Sequence, residues 1–243
     1  MKIEAKTDIG MQRQMNQDAY CISQDNEKYV LCVLADGMGG YTGGEIASNL
    51  AATSVEKYIK EHFENNKDYT KEELQELVKQ AITYANLEVY SRAQQEEELE
   101  QMGTTLEICL IYNNRAFIGH IGDSRIYRIR QDIMRKITVD HSYVQKLVKE
   151  GKITKEEADH HPKKNMLMKA LGCEPIIEPD VTVKGFNEGD IILVCSDGLT
   201  NMISEEEIYN IIRNDFETAA DNLIKRANEM GGKDNITVIL IKN

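Results

Sequence analysis

The stretch TTLEICLIYNNRAFIGHIGDSRIYRIRQDIMRKIT, residues 104–138, decides the fold. It divides into four short runs, Thr104–Tyr112, Arg115–Ile121, Arg125–Arg130 and Ile133–Thr138, each rich in apolar and β-branched residues. The breaks between them are only Asn113-Asn114, Gly122-Asp123 and Gln131-Asp132. Gaps so short cannot hold a crossover helix, so successive runs are expected to pair antiparallel. Upstream, Ile3–Asp8, Ala19–Ser23 and Lys28–Ala35 read as strands and Glu45–His62 as a helix. Thr70 and Glu73 form a capping box ahead of Leu74, Leu77, Val78, Ala81, Ile82, Ala85 and Val89, apolar at helical spacing, and this helix can reach the Glu96 region. Downstream come a polar helical segment, Ser142–Ala158, with a second capping box at Thr154 and Glu157, strands near Asp180–Val183 and Asp190–Ser196, helices Glu205–Arg213 and Thr218–Met230, and a last strand from Ile236. Grouped strands and grouped helices without β-α-β alternation indicate an α+β fold, with two packed antiparallel sheets and helices on both outer faces.

At 243 residues, 41% of them hydrophobic, the chain can bury a substantial core, and one domain over 1–243 is the simplest expectation. Only three Pro are present, and no linker or internal repeat interrupts the pattern. No hydrophobic leader follows Met1 and no apolar run reaches membrane-spanning length, so a cytoplasmic protein without membrane insertion is expected. Five Cys with no C-x-x-C pair argue against a disulfide framework or zinc knuckle, and Cys32, Cys109 and Cys195 read as small core residues. A net charge of −12 argues against a nucleic-acid backbone as partner. The run Glu96-Glu97-Glu98 reads as a solvated helix end.

Three Asp residues mark the ends of apolar runs. Tyr29–Ala35 stops at Asp36-Gly37, Ile191–Ser196 stops at Asp197-Gly198, and Asp234-Asn235 precedes Ile236–Ile241. Asp-Gly alone is a common turn dipeptide. A carboxylate at the end of a buried strand is costly to desolvate unless a cation meets it, and three able to converge at one sheet edge suggest a site for Mg, Mn or Ca. Five glycines surround Asp36 between Gly37 and Gly44, which reads as an open loop giving backbone groups access to metal or phosphate.

Six motifs then occur in order: Gly10-Met11-Gln12-Arg13-Gln14-Met15-Asn16-Gln17-Asp18, Asp36-Gly37-Met38-Gly39-Gly40, Gly103-Thr104-Thr105, Gly122-Asp123-Ser124-Arg125, Ser196-Asp197-Gly198-Leu199 and Asp234-Asn235-Ile236-Thr237. Over essentially its whole length the chain resembles the bacterial branch of the metal-dependent protein phosphatases, the PPM or type-2C family. The resemblance implies a four-layer α-β-β-α sandwich and hydrolysis of phosphoserine and phosphothreonine by direct attack of a water bridging two Mn2+ or Mg2+ ions, with no covalent phosphoenzyme. Asp36, Asp197 and Asp234 match the metal carboxylates, Asp36 serving both ions, with the Gly37 carbonyl on the second. Asp123 matches the ligand of a third metal, and Asp18 is a further candidate ligand. Arg13 matches the phosphate-binding residue, consistent with the bidentate grip of guanidinium on phosphate oxygens. Gln17, Asn235 and His120 are candidates for support behind the ligands, a satisfied sheet histidine being the other reading of His120. Two positions depart from the best-known pattern. Gln17 stands where the family often has Glu, and Met38 replaces a His proposed as general acid, so the leaving-group proton must come from elsewhere.

Of the remaining His, His160-His161 beside Asp159 reads as a surface loop, and His141 is expected to cap the helix that opens a flap over Ser142–Asn165. Val144, Leu147 and Val148 read as helix packing. The resemblance also implies a monomer acting on phosphorylated proteins and an opposing Ser/Thr kinase. Two competing functions remain open at this level: a phosphoprotein-binding or sensor module of the same fold with little turnover, and a hydrolase of small phosphoesters.

Overall fold

A computed structural model describes residues 1–25, 28–63 and 68–243; the side chains of residues 40–42, inside the glycine-rich stretch, lie outside the described residues. In chain order the elements are β1 (Lys2–Asp8), β2 (Asp18–Asp25), β3 (Tyr29–Met38), α1 (Gly40–Phe63), α2 (Lys71–Ala93), a 3-10 turn (Glu97–Leu99), β4 (Gly103–Thr104), β5 (Leu106–Tyr112), β6 (Arg115–Ile121), β7 (Arg125–Arg130), β8 (Ile133–Lys136), α3 (Tyr143–Lys149), α4 (Lys155–Asp159), β9 (Asp180–Gly185), β10 (Ile191–Cys195), α5 (Asp197–Thr200), α6 (Glu205–Asn214), α7 (Phe216–Glu229) and β11 (Ile236–Lys242). Two antiparallel sheets result, one ordered β1-β11-β10-β7-β8 and the other β2-β3-β5-β6-β9, with β4 pairing the end of β3.

The apolar runs are continuous because both faces of each sheet are covered. On β3, Leu31, Val33 and Ala35 pack toward α1 and α2, while Val30, Cys32 and Leu34 pack into the space between the sheets. On β10, Ile191, Leu193 and Cys195 face the α6 and α7 side while Ile192 and Val194 face the other sheet. Alternation thus survives, but with an apolar partner on either side. The architecture is the expected four-layer α-β-β-α sandwich. Both capping boxes form, at Thr70 with Glu73 and at Thr154 with Glu157. All five Cys are free thiols. Among the described residues no helix is long and apolar enough to cross a membrane.

Three expectations need correction. Asn113-Asn114 and Gln131-Asp132 are hairpin turns with φ of 46° and 56°, and 48° and 62°, but Gly122-Asp123 is not a hairpin. β6 and β7 belong to different sheets, so this connection steps across the sandwich, which Gly122 permits with φ +114°. The glycine-rich stretch is not an open loop either. β3 runs to Met38 and α1 starts at Gly40, and the glycines allow close packing there: a Cβ on Gly37 would lie 2.0 Å from the Gly44 carbonyl oxygen. The polar segment after His141 is two short helices, broken at Gly151 with φ +69°. Short α5, directly after β10, carries no periodic pattern for the sequence to display.

The inter-sheet layer sets the stability of this frame. Leu34→Ala, at a fully buried inter-sheet position, is expected to cost about 2–5 kcal/mol. For a chain of this size each kcal/mol lowers Tm by about 2–4 °C. Ile133→Ala, at a site 52% exposed, is expected to stay within about 0.5 kcal/mol. Chemical denaturation of the two variants checks the contrast.

Candidate active site

A cleft of about 740 Å³ opens at one edge of the sandwich, where Arg13, Asp36, Gly37, Asp123, Asp197 and Asp234 meet. Asp36 stands near the end of β3, in register opposite Asp18 on β2. Its peptide is held on both sides: the Asp36 N–H donates to Thr105 Oγ1 at 3.0 Å, and Thr104 Oγ1 donates to the Asp36 carbonyl at 2.9 Å. Asp197 opens α5 immediately after β10 and accepts from Asn201 Nδ2 at 2.9 Å. Asp234 sits at the entry to β11, and Arg13 Nη2 donates to its Oδ2 at 2.7 Å.

Asn235 fastens the segment that carries Arg13. Its Oδ1 accepts from Gln17 N at 2.8 Å, and its Nδ2 donates to the carbonyls of Ile9 and Met15, both at 2.9 Å. Gln17 lines the cleft as well, and its carbonyl accepts from Gly37 N at 3.1 Å. Asp18 lies behind the cleft, buried, with Oδ2 accepting from Ser196 Oγ at 2.9 Å and Thr237 Oγ1 at 2.6 Å. Its Oδ1 is one of the few buried side-chain atoms among the described residues without a partner.

Crowding shows in the acidities. Burial, then the charges of Asp18, Asp197, Asp123 and Asp234, hold Asp36 well above the usual carboxylate range. Asp197 is raised by burial and by Asp234, against the pull of Arg125. Burial pushes Asp123 to about 7, with Asp197 and Asp140 adding to it. Asp18 also rises to about 7, burial outweighing its two hydroxyl donors. Among the described residues no three acidic, His or Cys side chains already form a closed metal cage. The carboxylates influence one another across the cleft instead, so an entering cation would draw them inward. Carboxylate oxygens with raised proton affinity, plus the unpartnered Asp18 Oδ1, fit a hard divalent ion.

The histidines fall outside this set. His120 is buried in β6, its Nδ1 2.5 Å from Glu107 Oε1 and its Nε2 2.9 Å from the Val139 carbonyl. His141 does not cap the following helix; Ser142 does, accepting from Gln145 N. His160 and His161 lie at the surface end of α4, as expected. Thr105, Ser196, Thr237 and Asn201 support the carboxylates without having been singled out. The first three stand inside the quoted motifs, where a hydroxyl at a strand end beside a buried Asp was the available signal.

These acidities fix a pH dependence. Asp18 and Asp123 bind a proton more tightly folded than unfolded, so the stability this contributes is complete below about pH 4 and is lost as pH rises through about 7. Chelator-treated protein is therefore expected to melt lower near about pH 8 than near about pH 5.5, with Mn2+ restoring more of Tm at the higher pH. Glu107, also raised to about 7, acts in the same direction but cannot respond to Mn2+ from its buried site. Differential scanning fluorimetry with and without Mn2+ distinguishes the two contributions; equal Mn2+ gains at both pH values would contradict the expectation.

Known proteins share the family and the fold of this chain. The family described as Protein phosphatase 2C matches residues 11–240. A serine/threonine phosphatase stp from Listeria innocua is 38% identical over 244 residues, spanning 100% of this chain and 96% of that protein. The solved serine/threonine phosphatase of S. agalactiae superposes with a TM-score of 0.90 at 36% identity, covering 99% of this chain and 98% of that one. The catalytic domain of PstP, solved in complex with two manganese ions, superposes with a TM-score of 0.84 at 34% identity, covering 98% and 96%. With its sheet-edge carboxylates and matching frame, the chain belongs to the protein phosphatase 2C family and is a protein phosphatase.

Proposed function

We propose that residues 1–243 form one catalytic domain that hydrolyses phosphoserine and phosphothreonine in proteins, using divalent metal held by Asp36, Asp197 and Asp234, with Asp123 as a ligand for a further ion. The single observation that carries this is the convergence of Asp36, Asp123, Asp197 and Asp234 on one cleft bordered by Arg13. Bound Mn2+ or Mg2+ would neutralise phosphate charge and supply activated water for in-line attack at phosphorus. Kinship to a PstP domain solved with two manganese ions supports the metal requirement.

The chain's own residues do the rest. Thr104 and Thr105 fix the Asp36 backbone, so its carboxylate reaches the cleft from a held strand end. Asn201 orients Asp197 by holding one of its oxygens. Arg13 has five N–H donors, of which the bond to Asp234 uses one, so the guanidinium can bind phosphate oxygens while staying anchored. Met38 borders the cleft and carries no transferable proton, so protonation of the leaving alkoxide is assigned to solvent in the cleft. The substrate is therefore a phosphorylated protein segment, and an opposing protein kinase is the implied partner.

Activity on a phosphothreonine peptide is expected to vanish in excess chelator and to return with Mn2+. Asp36→Asn is expected to abolish it with the fold retained by circular dichroism. Full turnover in chelator would rule out a metal-dependent reaction.

A charge-assisted hydrogen bond contributes about 1.5–3 kcal/mol, roughly ten- to a hundredfold. Arg13→Ala is expected to weaken inhibition by product phosphate by that factor. Unchanged phosphate inhibition would remove Arg13 from the phosphate site.

A further inference from the structure

Asp123 stands on the only connection of the central run that steps between the sheets, and the three residues Val139, Asp140 and His141 grip the chain on both sides of it. The Val139 carbonyl accepts from His120 Nε2 at 2.9 Å. Asp140 takes Arg125 in a forked ion pair, with Nη2 to Oδ2 at 2.7 Å. His141 binds Gly122 twice: its backbone N–H donates to the Gly122 carbonyl at 2.7 Å, and its Nδ1 accepts from Gly122 N at 3.1 Å. On the far side of Asp123, Ser124 Oγ shares a hydrogen bond of 2.9 Å with Thr105 Oγ1, the same oxygen that accepts from Asp36 N.

The ring of His141 is set for this contact. Nδ1 must be unprotonated to accept the amide, which leaves Nε2 to carry the hydrogen, and Nε2 faces Asp180 Oδ2 at 3.4 Å. The imidazole of His120 stacks on it, with centroids 4.5 Å apart and planes 25° apart. Burial, and next the charge of His120, push His141 down to about 4, so it stays neutral. The His141 carbonyl in turn accepts from Met168 N at 2.7 Å, and Tyr143 N donates to the Met166 carbonyl at 2.8 Å. His141 thus touches the Asp123 turn and, through Met168, closes the base of the segment 142–167 that it precedes.

We propose that His141 is a positioning residue for Asp123: through Nδ1 and Gly122 it fixes the turn that aims this carboxylate into the cleft, and through its carbonyl it couples that aim to the base of the flap. This rests on the reading of Asp123 as a cation ligand. A group of this kind, one step removed from the ligand, typically changes activity by about 10- to 100-fold.

Asn and Gln separate the role from bulk and polarity. The amide oxygen of Asn can take the place of Nδ1, whereas that of Gln reaches to the place of Nε2. In saturating Mn2+, His141→Gln is expected to lower kcat on a phosphothreonine peptide by about 10- to 100-fold, and His141→Asn to keep most of it. In an Asp123→Ala background, His141→Gln is expected to cost nothing more, because both changes remove the same interaction. In metal-free protein the Gly122 amide is expected to exchange faster in the Gln variant than in the Asn variant or the parent. The unmutated protein offers a test without any variant: 15N NMR should find His141 Nδ1 unprotonated and Nε2 bearing the hydrogen. A protonated Nδ1, an Asn variant as poor as Gln, or unaltered Gly122 exchange would overturn the proposal. If Asp123→Ala alone leaves turnover intact, the role of Asp123 falls and His141 with it. If Asp123→Ala slows turnover and His141→Gln multiplies the loss, Asp123 keeps its role and only the positioning by His141 is wrong.

Discussion

Crowding of half-buried carboxylates at one edge of the sandwich, each raised first by burial and then by neighbouring charge, is the constraint on which the rest of this structure depends. Asp36 is surrounded by Asp18, Asp123, Asp197 and Asp234, and each neighbour raises the cost of ionising it. Donors recruited by the fold offset part of that cost. Ser196 and Thr237 serve Asp18, Asn201 serves Asp197, and Arg13 serves Asp234. None of them cancels the charge of Asp36. Such a cluster at one sheet edge suits a cation, and that fit, beside the Arg13 guanidinium, is what the proposed metal-dependent phosphate chemistry rests on.

The sandwich makes the crowding possible. Asp36 stands near the end of one central strand, Asp197 directly follows a central strand of the other sheet, and Asp234 comes just before its neighbour β11. Packing of Val30, Cys32 and Leu34 against Ile192, Val194, Ile239 and Ile241 fixes the two sheets against each other, and so fixes these strand ends. The step from β6 to β7 brings Asp123 across the same edge. Hydrogen bonds from Thr104 and Thr105 then join strand end to crossing turn, so a displacement of either sheet would be felt at Asp36.

The frame was legible in the sequence wherever a local signal carries it. β6 and β7 match the expected runs residue for residue, and both capping boxes form as read, because alternation and capping are properties of a few neighbouring residues. What escaped is long-range. The gap at Gly122-Asp123 looks like the hairpin gaps on either side, and nothing local reveals that β7 pairs with β10, more than sixty residues on. The glycines after Asp36 suggested exposure, whereas they serve close approach of α1 to β3. In the site, Arg13, Asp36, Asp123, Asp197 and Asp234 do converge. His120 proved to be a satisfied sheet histidine paired with Glu107, and the contact of His141 with Gly122 could not be read from residues nineteen apart.

The most direct measurement is calorimetric titration of chelator-stripped protein with Mn2+ in buffers of differing ionisation enthalpy, which counts protons exchanged on binding. Carboxyls held above their ordinary pKa must give up protons as a cation enters. Release of about one proton or more near about pH 6, shrinking toward zero near about pH 8.5, is the expected result. Tight Mn2+ binding with no proton release at either pH would contradict the idea that carboxylate crowding in this cleft is what the metal relieves.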